Sequence, residues 1–176
     1  MTEEDHAVVD RCIAEVVKRF RSSPNVFLTE DDVRVHLCGK LLSHFDTEER
    51  TRDGDRSISL HTETRWYGDG TLKLRSDIVL IDVGTLDVLR HSQMPSKGYG
   101  FNFPKGIIEI KFRRPNGKSD RMWISDIEQD IQKLEGLQPV FRDAGSPVQT
   151  SFWVLALDKK RQYASQSEQA APSNGW

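Results

Sequence analysis

The chain lacks most of the signatures that would tie it to a familiar cofactor or compartment. Only two of its 176 residues are cysteine, Cys12 and Cys38, and both fall in apolar, helix-patterned stretches. Two cysteines in a chain of this size make no disulfide framework, so reduced core thiols are expected. No apolar run approaches the ~20 residues that cross a bilayer. The opening Met1-Thr-Glu-Glu-Asp-His6 is acidic and has no signal-peptide core. A cytoplasmic protein with no membrane partner is the expectation. No phosphate-cradling glycine loop, dinucleotide fingerprint or nucleophile elbow is found. The five histidines show no metal-ligand spacing and are read as structural. There is no excess of positive charge either: 25 Lys and Arg face 27 Asp and Glu, for a net charge of -2. A polyanionic partner would have to be met by local clusters, not by a global field.

What is present fits one globular domain with a real core, over residues 1–161. Val8, Val9, Cys12, Ile13, Val16, Val17 and Phe20 recur at helical spacing over 4–21, and residues 1–26 form this helix and its linker. A second helix is expected from Thr29, with Thr29 as N-cap and Asp32 closing a capping box. Its buried stripe reads Val33, Leu37, Cys38, Leu41, Leu42 and Phe45. Asp46–Arg56 reads as a charged, mobile loop. Strands follow over Ile58–Trp66, Leu72–Val83 and Gly106–Phe112, with a turn at Tyr67–Thr71 and a long inserted connection over 84–105. Trp123–Leu137 is a third helix with Ile124, Ile127, Ile131 and Leu134 on one face. Ser151–Leu157 is nearly all apolar, as for a strand buried on both faces. Residues 162–176, rich in Gln, Ser and Ala, read as a disordered tail. The order is α-α-β-β-β-α-β. It implies an α/β fold with a central mixed sheet of about four to five strands flanked by helices.

Charge inside two of these strands is the informative feature. Asp77 lies in Arg75-Ser-Asp-Ile-Val-Leu-Ile-Asp82, and Glu109 and Lys111 lie in Gly106-Ile-Ile-Glu-Ile-Lys-Phe112. Charges in strands this apolar are costly unless paired or bound to metal. Side chains alternate along a strand, so Glu109 and Lys111 point the same way, about 7 Å apart. If the strands pair with their faces aligned, two carboxylates and an ammonium converge on a single point. The plain alternative is a cross-strand charge pair on a half-exposed sheet.

Asp77 followed by Glu109-Ile-Lys111, in an antiparallel strand pair with a helix before and a helix and strand after, resembles the PD-(D/E)xK nucleases. The matching elements run from about residue 27 to 158. Ser76 stands where the family often has proline. The resemblance implies a restriction-endonuclease-like fold and a metal-dependent nuclease cutting DNA through a Mg²⁺- or Mn²⁺-activated water. Asp77, Glu109 and the Ile110 backbone carbonyl would be the metal ligands, hard oxygen donors that suit these cations. Lys111 would hold the attacking water and offset transition-state charge. Glu30, on the preceding helix, is the match for a further catalytic acid, with Asp31 the second choice. The plain reading of both is helix-dipole stabilisation.

Substrate contacts are sought around these groups. Arg113, Arg114, Lys118 and Arg121 form a basic loop after the Glu-x-Lys strand, and Lys159–Arg161 form a second cluster. Gln129 and Lys133 lie on the helix that flanks the site in the family. Asp130 and Lys133 could equally pair with each other at i, i+3. Glu63 is read as a surface carboxylate facing Arg65 or Lys73, and the Tyr99–Phe103 aromatics could stack bases. The expected partner is DNA. A homodimer would match the two-fold symmetry of a duplex, and a targeting protein is the other route to sequence choice. Two rival functions remain: a non-catalytic module on the same scaffold that binds protein or nucleic acid, and an RNA-directed nuclease.

Overall fold

The computed structural model describes residues 1–67, 72–88, 103–143, 145–147 and 149–163. Most of the 84–105 connection, the Tyr67–Thr71 turn beyond Tyr67, the aromatic run at 99–102 and the tail from 164 onward lie outside the described residues.

Both N-terminal helices begin where their caps dictate. Helix α1 (Glu3–Ser22) opens on a capping box between Thr2 and Asp5, and α2 (Glu30–Phe45) opens on the expected box between Thr29 and Asp32. Each box satisfies backbone N–H groups that the first turn would otherwise leave without partners. Two short strands follow, β1 (Glu49–Arg50) and β2 (Arg56–Ser57), then β3 (Leu60–Tyr67), β4 (Leu72–Ile81) and β5 (Pro104–Arg113). Helix α3 (Asp120–Asp143) and strand β6 (Ser151–Asp158) complete the order. The main sheet has four strands in the order β3-β4-β5-β6. The β3–β4 and β4–β5 pairs are antiparallel and β5–β6 is parallel. The chain is therefore α/β with a mixed central sheet.

Alternation along the strands divides the core into two layers. Ile78, Leu80, Ile108, Ile110, Leu155 and Leu157 face α1 and α2, where Val9, Val16, Val33, Leu37 and Leu41 are fully buried. Val79, Ile81 and Ile107 face α3, meeting Leu134, Leu137 and Phe141. Cys12 is buried and Cys38 partly so, and both are free thiols.

Several sequence expectations need correction. The buried stripe of α3 is not Ile124–Ile127–Ile131–Leu134. It runs through Trp123, Asp130, Leu134, Leu137 and Phe141, and Ile124 and Ile131 are exposed. The sheet beneath α3 carries Glu109 and Lys111 as well as aliphatic groups, so the helix turns charge partners, not only apolar ones, inward. The helix also continues past Leu137, with Pro139 accommodated inside it. Strand β6 is a sheet edge and is not buried on both faces: Val154 is half-buried and Ala156 exposed. The Asp46–Arg56 segment is not a loose loop. Its strands β1 and β2 pair, the Arg52 amide donates to Leu86 O at 2.9 Å, and the Arg52 guanidinium forks onto the Asp87 carboxylate. Leu42 is exposed rather than part of the α2 stripe. At the C-terminal end, 159–163 is helical, and Gln162 donates to Arg21 O at 2.9 Å, so the tail does not begin at 162. Among the described residues no helix is long and apolar enough to cross a membrane.

The rotated stripe of α3 has a direct test. Leu134→Ala should cost about 2–4 kcal/mol in urea unfolding, as for a buried leucine, and Ile131→Ala under about 1 kcal/mol. Equal losses would restore the face read from sequence.

Candidate functional site

Strand pairing brings the sequence-predicted charges to one end of the β4–β5 ladder. Backbone pairing of β4 with β5 runs from Ile81↔Pro104 to Ile78↔Ile108. At the next position Asp77 replaces a strand contact with its own side chain: Asp77 Oδ2 accepts the Ile110 N–H at 2.7 Å. That amide is buried, and without a partner it would cost about 1–3 kcal/mol. Asp77 is thus fixed by the fold and held in the gap between two strands.

The two faces of the sheet both contribute neighbours. From α3, Lys133 Nζ donates to Glu109 Oε1 at 2.7 Å and to the Arg75 carbonyl at 2.7 Å. Asp130, one turn earlier, places its Oδ2 2.8 Å from Lys111 Nζ. Asp130 and Lys133 therefore do not pair with each other. Their i, i+3 spacing lets one helix face answer the Glu-x-Lys alternation of β5, charge for opposite charge. From α2, Arg34 reaches Asp77 Oδ1 at 2.9 Å, Glu63 Oε1 at 2.8 Å and Asp31 Oδ1 at 2.7 Å. Glu63 is not the surface carboxylate expected. It has no Cα partner in β4 between the pairs Thr62↔Ile78 and Thr64↔Ser76, has φ of 55°, and shares itself between Arg34 and Arg75. A positive φ at a non-glycine residue is sparsely populated and persists when its surroundings hold it. Here two guanidinium partners do so.

Burial sets the electrostatics. Glu109 is only 3% exposed. Desolvation pushes its pKa up to about 7; Lys133 opposes the rise, and the charges of Asp77 and Asp130 add to it. The Glu30 carboxyl is also raised, by burial and then by Asp77, against Lys111 and the Phe112 backbone. Burial works against the Lys111 charge, but Asp130, Glu30 and Asp77 outweigh it and hold its pKa above the ordinary value. Glu30, Asp77, Glu109 and Lys111 thus share one electrostatic neighbourhood, and Glu30 joins it from the helix as expected.

The remaining predicted contacts separate into two groups. A cleft of about 420 Å³ is lined by Glu30, Lys111, Arg114, Lys118, Gln129 and Asp130, among others. Arg114, Lys118 and Gln129 are exposed, although Lys118 is paired with Asp126 at 2.6 Å. Arg121 is exposed but is not among the residues lining this cleft. Arg113 is a correction: it is 2% exposed, forks onto Asp158, donates to Asp120 at 2.6 Å and lies over the Trp123 ring, so its charge is consumed internally. Lys133 is also turned inward. In the second basic cluster Lys159 is buried and donates to Phe27 O at 2.9 Å, and Arg161 pairs with Asp120 and Asp158. Arg34 and Asp130 contact the site charges Asp77 and Lys111, and neither contact is expected from the sequence. The signal for Asp130 is its place one turn before the buried Leu134; Arg34 has no such mark, since Glu63 and Asp77 reach it from two strands distant in sequence.

The fit to a divalent cation is one of donor chemistry. Asp77, Glu109 and Glu30 supply carboxylate oxygens; burial first, and then the charge of Asp77, raises the pKa of Glu109 and Glu30, and a hard cation would favour their ionised forms. Asp77 and Glu109 are each engaged by a protein cation. Among the described residues no three His, Cys, Asp or Glu side chains are grouped so as to hold a metal ion. Comparison of the chain with family models, with curated proteins and with solved structures finds no match.

The raised Glu109 pKa gives a pH signature with a definite sign. The folded pKa of about 7 lies above the ordinary 4.5, so the group favours the folded state at low pH, and that contribution is lost as pH rises through about 7. In EDTA, Glu109→Gln should therefore melt at or above the native protein at pH 8, with the gap closing toward pH 5. A variant melting well below the native protein at pH 8 would show that the ionised pair with Lys133 is net stabilising.

Proposed function

We propose that the protein is a divalent-cation-dependent nuclease of the restriction-endonuclease-like class that hydrolyses phosphodiester bonds in DNA. The observation that carries this reading is the meeting of Asp77, Glu109, Lys111 and Glu30, from β4, β5 and α2, beside a cleft bordered by exposed Arg114 and Lys118. The order α-α-β-β-β-α-β around a mixed sheet agrees with that fold. Asp77, Glu109 and the Ile110 carbonyl are the groups that would hold Mg²⁺ or Mn²⁺. Such a cation supplies Lewis-acid stabilisation of phosphoryl charge and a water of lowered pKa.

The protein groups have separable roles in this reading. Lys111, held protonated by Asp130, offsets negative charge that develops on the phosphoryl oxygens. Glu30, whose pKa burial and the charge of Asp77 raise above the ordinary carboxyl value, is suited to hold or accept a proton. Lys133 is a positioning residue, orienting Glu109 from behind. Arg114 and Lys118 orient the backbone phosphates, with Gln129 beside them. A two-fold dimer or a separate targeting protein would supply the choice of where to cut.

A non-catalytic binding module is the second reading. It is favoured by one observation: Arg34, Lys133 and Lys111 already neutralise Asp77, Glu109 and Asp130. Incubation with plasmid, linear duplex, single-stranded DNA and RNA, with and without Mn²⁺, separates the possibilities. Mn²⁺-dependent cleavage of DNA is expected, with loss of at least about a hundredfold in Lys111→Ala while the melting curve stays cooperative. Preference for RNA would change the substrate. Absence of cleavage of every substrate would leave the binding module.

A further inference from the structure

Arg34 is the least explained charge in the site. Its Nη2 bridges Glu63 and Asp77, its Nη1 holds Asp31, and its Nε is buried with no hydrogen-bond partner. The Asp77 carboxylate it grips is already anchored on the other side by the Ile110 amide. That second bond belongs to a strand and cannot move far. The bond to Arg34 belongs to a long side chain and can. If Arg34 let go of Asp77, it would keep two carboxylates and would not be stranded. The same guanidinium lines a second cleft, of about 550 Å³, together with Arg75 and Arg114. Arg114 and Glu30 line both this cleft and the one beside Lys111, so the two are neighbours along one surface.

We propose that Arg34 is a displaceable internal counter-ion: it neutralises Asp77 in the cation-free protein, and on cation binding it turns its freed N–H groups to a phosphate in the cleft shared with Arg75 and Arg114. This rests on the nuclease reading and assigns within it a residue that couples cation binding to phosphate binding. The physics is an exchange of partners. A divalent cation at Asp77 and a guanidinium on the same carboxylate repel, so each weakens the other. A released guanidinium with a planar fork of donors matches a phosphate. Asp31 and Glu63 keep it at the cleft wall during the exchange.

The assignment predicts opposite signs for two affinities, which a merely structural residue would not produce. Mn²⁺ is titrated calorimetrically into native protein and Arg34→Gln without nucleic acid. The variant should bind Mn²⁺ about tenfold more tightly, the change expected when one partly buried competing cation is removed. With Ca²⁺ present, a short fluorescent duplex oligonucleotide should bind the same variant about tenfold more weakly. Unchanged or weaker Mn²⁺ binding in folded Arg34→Gln overturns the counter-ion assignment, and unchanged oligonucleotide binding overturns the phosphate half. If that variant loses its cooperative melt, Glu63→Gln decides. Removing an alternative partner tightens the grip of Arg34 on Asp77, so Mn²⁺ should bind more weakly, and equal or tighter binding refutes the proposal. No Mn²⁺ binding by the native protein overturns the nuclease reading and this assignment together, whereas unchanged binding in the variant overturns this assignment alone.

Discussion

A carboxylate stands in this sheet where strand pairing ends. Asp77 takes the Ile110 amide through its side chain just beyond the last β4–β5 backbone pair. The rest of the site depends on that bond. It anchors one acidic group on the backbone of β5, between Glu109 and Lys111 of that strand. The charges then have to be answered from the layers above and below. Helix α3 answers with Asp130 and Lys133, and α2 answers with Arg34 and Glu30. The helices are oriented by this charge matching as well as by apolar burial. That is why two isoleucines of α3 face water while an aspartate faces the sheet.

A pattern of buried opposite charges is a poor way to stabilise a fold. Desolvation of each ion consumes most of the attraction, and well-packed hydrophobic residues often do as well or better. Glu109 illustrates the cost, since burial lifts its pKa far from that of a free carboxyl despite a lysine in contact. Perturbed groups beside a cleft, as Glu30 and Lys111 are, mark a candidate functional site. The network two residues past Lys111, at the end of β5, contrasts with it. There Arg113, Asp158 and Asp120 close on one another around Trp123, and their role is to tie α3 and β6 to the sheet edge.

The coarse architecture was legible because it rests on periodicity and capping. The Thr29–Asp32 box, the apolar alternation of β4 and β5 and the element order all follow from local chemistry. So did the meeting of Asp77 with Glu109 and Lys111, because an apolar strand leaves few ways to house a charge. What local reading could not give was choice of partner. Arg113 and Lys159 look like exposed phosphate binders in sequence, yet both are consumed by long-range contacts with Asp158 and Phe27 O. Arg34 carried no local signal at all: its three carboxylates come from its own helix turn and from two different strands. The apolar spacing of α3 points to the wrong face because the sheet beneath it offers charge partners to Asp130 and Lys133.

The central proposal is that Asp77 and Glu109 bound a cation site built by the sheet. The most direct measurement is a Mn²⁺ titration followed by paramagnetic broadening of backbone amide resonances. The account predicts that Asp77, Glu109 and Ile110 broaden first, ahead of the exposed acidic turn at Glu3–Asp5. Broadening that begins at surface carboxylates and reaches Ile110 last, or not at all, would contradict it.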